Sequence, residues 1–114
     1  MNQAVTISLD DYRQQLVNSL QACGIPRHMW ESVVEYILQG HPVGEFLEAL
    51  LCNDLMKVAK KADHMNLPRL PDYVAFLEGC APIGSFGSTA AHNEWRRTGG
   101  VLGRQQAREA ARLG

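Results

Sequence analysis

The sequence has no long hydrophobic run, no closely spaced cysteines and no basic leader. None of its segments approaches the roughly 18 consecutive apolar residues that a membrane-spanning helix requires. The first residues, MNQAVTISLDD, contain neither a basic cluster leading into an apolar stretch nor a small-residue cleavage site. We therefore expect a cytoplasmic protein that does not enter a membrane.

Metal, redox and common catalytic motifs are also missing. The potential soft ligands are scattered over the chain: Cys23, Cys52 and Cys80, and His28, His41, His64 and His92. This spacing contains no C-x-x-C pair and no two such ligands one helical turn apart, so we predict reduced, mostly buried thiols, no metal site and no cofactor. The signatures G-x-S-x-G, G-x-x-x-x-G-K-[ST] and H-E-x-x-H are absent as well, which favours a protein that is not an enzyme.

The composition that is present is that of a single globular domain. The chain has 114 residues, of which 46% are apolar and 20% are charged. Its net charge of -1 hides a strong asymmetry, because residues 1–95 carry a net charge of -5 and residues 96–114 a net charge of +4. The basic charge is therefore concentrated at the C-terminal end.

Apolar residues recur at steps of three and four along most of the chain and predict an all-α fold. Start and stop signals bound the helices, such as Ser8 before the first and Gly24 after it. The predicted helices cover residues 8–23, 26–39, 44–63, 70–78 and 88–98. We expect residues 1–100 to form one compact domain of about five helices, in which the apolar stripes pack against one another. Residues 101–114 form a basic tail, which is either a sixth helix or a disordered arm.

Asp54 is an unexpected residue in the predicted helix 44–63. At 100° per residue it falls inside the apolar arc, whose members are Leu47, Leu50, Leu51, Leu55, Val58 and Ala62. A buried carboxylate needs hydrogen-bond donors, because its desolvation is costly. We interpret Asp54 as an internal tether that accepts N–H groups from the glycine-rich loop 84–88, from Trp30 or from Trp95. This role predicts that Asp54→Ala destabilises the protein by about 2–4 kcal/mol.

Asp54 has two other interpretations: a general acid or base, or a residue on an exposed or self-associating face. The catalytic role would need a partner such as His64 or Asp63, and neither stands at a recognised spacing. Asn53 lies beside the apolar arc, where it caps a neighbouring segment or faces solvent. Ser88 is a cap at the start of the fifth helix, and the loop before it either holds an anion or is an ordinary turn.

The basic tail and Trp30 provide the candidate contact residues. The arginines of the tail are Arg96, Arg97, Arg104, Arg108 and Arg112. The last three stand four residues apart and share a helical face, as in a solvated or partner-binding helix. Phosphate binding to a nucleic acid is an alternative, although no aromatic residues are interleaved with the arginines. Trp30, Val34 and Phe46 broaden the apolar faces of their helices, so homodimer formation is a further alternative.

Three stretches, GHPVGEFLEALLCNDLMKVAKKADHMN, LPDYVAFLEGCAPIGSFGS and WRRTGG, resemble a widespread set of short proteins of bacteriophages, prophages and their hosts. The matching positions are Gly40, Gly44, Phe46, Leu47, Ala49, Leu51, Asn53, Asp54, Leu55, Ala62, Asp63, Asn66, Ala81, Pro82, Gly87, Ser88, Trp95, Gly99 and Gly100. The resemblance covers roughly residues 26–100 and implies a genetic setting rather than a reaction.

A phage setting implies an accessory protein that modulates or inhibits a host protein complex, such as a defence system. Together with the small size and the lack of cofactor motifs, it makes a non-enzymatic protein-binding module the leading hypothesis. A nucleic-acid-binding accessory protein that uses the arginine tail is the alternative.

Overall fold

The computed structural model describes residues 8–113, and all regular structure in this range is helical. The α-helices are α1 (Leu9–Cys23), α2 (Trp30–Gln39), α3 (Glu45–Leu51), α4 (Leu55–Lys61), α5 (Leu70–Cys80), α6 (Thr89–Thr98) and α7 (Gly100–Leu113). Short 3-10 turns precede α2 at Arg27–Met29 and α5 at Leu67–Arg69. The all-α prediction is confirmed, but the described residues form seven α-helices rather than five or six. None of these helices combines the length and apolarity that crossing a bilayer requires.

Helix α1 begins and ends where its sequence signals predict. The Ser8 hydroxyl accepts the backbone N–H of Asp11 (3.1 Å), which satisfies one of the free donors of the first turn. Gly24 follows the last turn with φ +81°, and the next residue, Ile25, donates its N–H to the carbonyl of Leu20 (3.0 Å). Glycine suits this position because a Cβ would strain the left-handed backbone.

The single predicted helix over residues 44–63 is wrong, because the chain leaves the helical conformation between α3 and α4. Asn53 has φ +60°, and its N–H donates to the carbonyl of Leu50 (3.1 Å). The N–H of Asp54 donates to the carbonyl of Ala49 (2.9 Å). These two bonds form a left-handed C-cap that ends α3, and asparagine tolerates this backbone conformation better than most residues.

Asp54 is exposed rather than buried, which corrects its assignment as an internal tether. Its carboxylate accepts the backbone N–H of Lys57 (3.2 Å) and so caps the start of α4. The glycine-rich loop is instead tied to this region by its own backbone, since the Gly87 N–H donates to the carbonyl of Leu51 (2.8 Å). Asp54 does not share the apolar face of α3, because the left-handed turn at Asn53 changes the direction of the chain before α4 begins.

Asp54→Ala is now expected to lower the free energy of unfolding by about 1 kcal/mol, because it removes an exposed N-cap and strands no buried donor. Asp54→Asn keeps a capping oxygen and is expected to stay within about 0.5 kcal/mol of the wild type. Urea denaturation followed by circular dichroism measures both changes. A loss of about 3 kcal/mol or more in Asp54→Ala would restore the buried-tether interpretation.

Other helix boundaries differ from the prediction at three places. A 3-10 turn follows Pro26, so α2 begins at Trp30. Helix α5 continues through Gly79 to Cys80, two residues beyond the predicted range 70–78. Helix α7 begins at Gly100 directly after Gly99 turns the chain with φ +81°, so the basic tail is helical as far as the structure describes it. Residues 1–7 and residue 114 lie outside the described range.

Buried apolar side chains from each of the helices α1 to α6 form the core, and α2 packs against both α1 and α7. Its largest fully buried side chains include Trp95, Tyr36, Tyr73 and Phe76. The indole N–H of Trp95 donates to the carbonyl of Tyr36 (3.0 Å), and the Tyr36 hydroxyl donates to the carbonyl of Ser85 (2.7 Å). These bonds join α6, α2 and the glycine-rich loop, and burial raises the pKa of the Tyr36 hydroxyl.

Two glycines allow the end of α2 to approach the α6–α7 junction closely. Gly40 has φ +70° and Gly100 has φ +67°. A Cβ on Gly100 would lie 2.7 Å from both the backbone nitrogen of Gln39 and the carbonyl oxygen of Ile37. The crossing is therefore a contact of backbone with backbone, which leaves no room for a side chain.

Candidate functional site

Asp54 lines a polar recess formed by α3, α4 and the start of α6. This recess of about 220 Å³ is lined by Glu48, Ala49, Cys52, Asp54, Lys57, Thr89, His92 and Asn93. Glu48 and Lys57 form an ion pair in it, with 3.7 Å between Oε1 and Nζ. Neither His64 nor Asp63, the catalytic partners considered for Asp54, lines the recess.

His92 is the histidine that lines this recess. Its side chain is buried, and it forms no acid–base pair there. Its ring stacks on Tyr36 with the centroids 5.5 Å apart, and Nδ1 lies 3.3 Å from Oδ1 of Asn93. Nε2 has no hydrogen-bond partner among the described residues. Neither ring nitrogen therefore bonds to Cys52 or Asp54, whereas a general base must reach the group that it deprotonates within about 3 Å. The recess as folded lacks a nucleophile–base contact.

The break between α3 and α4 separates the polar recess from an apolar one. The apolar recess of about 270 Å³ is lined by Leu50, Asn53, Val74, Leu77, Glu78, Phe86 and Gly87. Asn53 is exposed at its edge, directly after Cys52, the C-cap of α3. Across the loop, the Ser88 hydroxyl accepts the backbone N–H of Ala91 (3.0 Å) and caps α6. Asn53 and Ser88 thus act as local helix caps, while the Gly87 N–H holds the loop against α3.

Two of the five tail arginines are engaged within the molecule. The Arg104 guanidinium carbon lies 4.3 Å from the ring centroid of Trp95, and its Nε is buried. Arg97 donates from Nε to the Glu94 carboxylate (2.9 Å), and this hydrogen bond lowers the pKa of Glu94. The other three arginines are exposed and have no ion pair among the described residues: Arg96, Arg108 and Arg112.

Helix α7 is anchored at its first turn and exposed beyond it. Its start packs on the end of α2 and on α6. Every residue from Gln105 to Leu113 is exposed. Arg108 and Arg112 therefore stand one turn apart on a helix surface that contacts little of the body.

Trp30 lines a third recess, between α1 and α2. This Trp30 recess of about 280 Å³ is lined by Arg13, Val17, Arg27, Trp30, Glu31 and Val34. The indole N–H donates to the carbonyl of Ile25 (2.8 Å), and the Arg27 guanidinium carbon lies 5.8 Å from the ring centroid. The indole is thus held at one edge and contacted by a cation, yet it stays partly exposed.

Sequence reasoning missed the two arginines of the Trp30 recess. Arg27 precedes Trp30 by three residues, and the intervening 3-10 turn brings its guanidinium to the ring. This short spacing was an available signal. Arg13 comes from α1 and forms an ion pair with Glu35 of α2. That contact depends on how the two helices pack, which no local pattern in the sequence encodes.

The predicted contact residues form two separate surfaces. Trp30 is the first residue of α2, whereas the α7 junction at Gly100 contacts the last residues of that helix, beside Gly40. Val34 and Phe46 are buried within the chain, at 2% and 8% exposure. Of the three residues predicted to form an apolar homodimer face, only Trp30 is therefore accessible to a partner.

Comparison with known proteins does not assign any of these surfaces. No protein-family model matches the chain, and no curated protein or solved structure is significantly similar to it. The resemblance to short phage proteins stays a prediction, and the surfaces are interpreted from the geometry of the described residues.

Proposed function

We propose that the protein is a small non-enzymatic module that binds another protein through the Trp30 recess. The observation that carries this proposal is the half-buried indole of Trp30, held between α1 and α2 with Arg27 against its ring. Tryptophan and arginine are enriched among the residues that contribute most to protein–protein affinity. The recess combines both residue types with an apolar floor that includes Val34.

The local structure prepares Trp30 for contact with a partner. Because the indole N–H already donates to the Ile25 carbonyl, a partner can desolvate the ring without breaking a hydrogen bond. The side chain is rigid and held in place, so little conformational entropy is lost on binding. Covering the exposed part of the ring then adds the free energy of burying apolar surface.

The charges around the recess define the chemistry of the partner. Arg13 is neutralised by Glu35, whereas Arg27 has no ion pair among the residues that the structure describes. A complementary partner therefore places an apolar side chain against Trp30 and Val17 and a carboxylate opposite Arg27. An amphipathic protein segment with an acidic residue beside an apolar one meets these requirements.

The resemblance to phage and prophage proteins supports a host protein as this partner. A small accessory protein of such origin would bind a host complex, for example a defence complex, and modulate or inhibit it. In this proposal the Trp30 recess makes the contact with the host protein in the cytoplasm.

Nucleic-acid binding through the basic tail is the alternative function. It is supported by the exposed second half of α7, on which Arg108 and Arg112 stand one turn apart, and by the exposed Arg96 at the end of α6. Arg104 and Arg97 already make contacts within the molecule. Three arginines on an otherwise acidic chain make a small electrostatic footprint, so the protein-binding function is preferred.

Trp30→Ala is expected to weaken partner binding by about 30-fold, which corresponds to about 2 kcal/mol. The full-length wild type, Trp30→Ala and Val74→Ala are immobilised in parallel and exposed to a lysate of cells that carry the gene. Val74→Ala is the matched control, because it truncates a half-exposed apolar side chain of the apolar recess. The proposal requires that one protein of the lysate binds stoichiometrically to the wild type and to Val74→Ala but not to Trp30→Ala. Titration of that protein, once purified, then measures the change in affinity.

Equal retention of the same protein by the wild type and a folded Trp30→Ala would contradict the proposal. The nucleic-acid alternative would be established by a different result. The captured material would then be removed by nuclease, retained by Trp30→Ala and lost in Arg108→Glu. Circular dichroism of each variant separates loss of binding from loss of folding.

A further inference from the structure

The second half of α7 is a helix surface that the rest of the described chain does not cover. Every residue from Gln105 to Leu113 is exposed, and the apolar side chain of Leu113 is 89% exposed. A helical segment of this length is only marginally stable in water when nothing packs against it. A partner that covers these residues, the α7 end, therefore stabilises the helix and buries apolar surface.

The α7 end presents one amphipathic face away from the body of the protein. At about 100° per residue, Glu109, Arg112 and Leu113 share one arc of the helix. The opposite side carries Gly100, which is buried, and Arg104, which packs on the core. Neither Glu109 nor Arg112 forms an ion pair within the described chain. The outer face therefore offers an apolar side chain beside one free charge of each sign.

The Trp30 recess carries the complementary charges. Arg27 and Glu31 line it, and neither forms an ion pair with another residue in the range 8–113. They stand four residues apart, and Glu109 and Arg112 stand three apart, so each pair spans about 5–6 Å on a helical backbone. With the α7 end in the recess, Glu109 lies opposite Arg27. Arg112 then lies opposite Glu31.

We propose that the Trp30 recess binds the α7 end of a second copy of this chain. Leu113 of one copy then covers the exposed part of the indole in the other, with Val17 beside it. The contact is an apolar anchor flanked by two charge pairs of opposite direction. Reversing the direction of the helix would bring like charges together, so the charges also fix its orientation.

The occupant is a second copy because the α7 end does not reach the recess of its own chain. The residues that line the recess lie between positions 13 and 34 only. Two copies can exchange their α7 ends about a two-fold axis, as is usual in homodimers. Each contact then occurs twice, which doubles the surface that the dimer buries.

Self-association would regulate partner binding, a consequence that rests on the proposed function. The α7 end and the host protein would occupy the same recess, so only a monomer has the recess free. The apparent affinity for the host protein is therefore expected to fall as the concentration of this protein rises.

Sedimentation velocity of the full-length wild type between about 5 and 200 μM is expected to show a reversible dimer. Trp30→Ala and Leu113→Ser should each weaken it by about tenfold or more, because each removes half of the apolar anchor. Ile83→Ser is the matched control and should dimerise like the wild type. Ile83 is an apolar residue that is 99% exposed and lines none of the three recesses.

Charge reversal tests the orientation of the α7 end. Arg27→Glu and Glu109→Arg should each weaken the dimer by about tenfold, because each places like charges opposite one another in both halves of the dimer. The double variant Arg27→Glu/Glu109→Arg restores the pair with its signs exchanged and should return to within about threefold of the wild type. A folding defect in either single variant would not produce this rescue.

These measurements are made in dithiothreitol so that no dimer is held by a disulfide. The sequence-based prediction of mostly buried thiols is wrong, since Cys80 is exposed and Cys23 and Cys52 are only half-buried. Circular dichroism confirms that each variant is folded.

Three results would overturn the proposal: a wild type that stays monomeric at about 200 μM, a dimer that Trp30→Ala or Leu113→Ser leaves intact, or a double variant no tighter than the single ones. None of these measurements requires the host protein. A host protein captured equally by Trp30→Ala would contradict the proposed function alone. The competition is tested by titrating the captured protein with Leu113→Ser, which should bind it more tightly than the wild type does at about 200 μM, and equal affinities would overturn it.

Discussion

Gly100→Ala is expected to destabilise the protein by about 4 kcal/mol, a large share of the roughly 5–15 kcal/mol that holds an ordinary domain together. Gly100 has φ +67°, where a Cβ costs about 1–3 kcal/mol through backbone strain. The same Cβ would lie 2.7 Å from backbone atoms of Gln39 and Ile37 and 2.8 Å from the nitrogen of Gly40. Relieving these contacts requires the end of α2 to separate from the start of α7, since backbone atoms cannot rotate away as a side chain can.

Gly79→Ala provides the control for this substitution. Gly79 lies inside α5, and a Cβ there meets no atom within 4 Å. Alanine favours a helix by up to about 1 kcal/mol over glycine, so this variant should equal or exceed the wild type in stability. Chemical denaturation compares the two variants, and a loss below about 1 kcal/mol in Gly100→Ala would show that the helices adjust to the added methyl group.

Trp95→Ala is expected to cost about 3–5 kcal/mol, as is usual when a buried tryptophan is truncated. Trp95 is 2% exposed and lies between α2 and α7. Its loss leaves a cavity and removes the hydrogen bond to the carbonyl of Tyr36. It also removes the ring on which the Arg104 guanidinium packs, so the first turns of α7 lose an anchor together with the core.

Trp30→Ala is the matched control for Trp95→Ala, because it removes the same atoms from a half-buried position. We expect it to cost less than Trp95→Ala, about 1–2 kcal/mol. The chain contains two tryptophans, so in each variant the remaining indole reports unfolding by fluorescence. Equal losses in the two variants would mean that the indole of Trp95 contributes no more to the core than a surface tryptophan does.

The losses expected for Gly100→Ala and Trp95→Ala both follow from the packing of the C-terminal segment on the rest of the fold. The sequence predicts a domain that ends at residue 100 and a separate tail from 101 to 114. In the structure, Val101 packs on the core and Arg104 covers Trp95. A truncation after residue 100 is therefore expected to remove packing as well as charge.

Much of the local structure could be predicted because its causes are local. Side chains spaced three and four residues apart share one face of a helix, and this periodicity correctly predicts the all-α fold. Ser8 and Gly24 bound α1 because their capping contacts reach only a few residues along the chain. Asn53 and Asp54 also act over a few residues only. Because the apolar periodicity of α3 resumes in α4, the sequence pattern does not reveal the break between these two helices.

The candidate site was only partly predictable. Trp30 was named from the apolar pattern of its helix, and Arg27 stands close enough in sequence for a short turn to bring it to the indole. Arg13 enters the recess from α1, because the packing of α1 on α2 allows its ion pair with Glu35. The recess exists only where the two helices meet.

By itself, the sequence determined the helical class, the caps at Ser8, Gly24 and Ser88, and the separation of basic from acidic charge. The tertiary structure alone decided that Asp54 is exposed, that Gly40 and Gly100 meet, and that Arg13 of α1 reaches Glu35 of α2. The physical reason is the range of the interactions. Periodicity and capping act within one or two helical turns, whereas helix crossings depend on how all the apolar faces fit together in three dimensions.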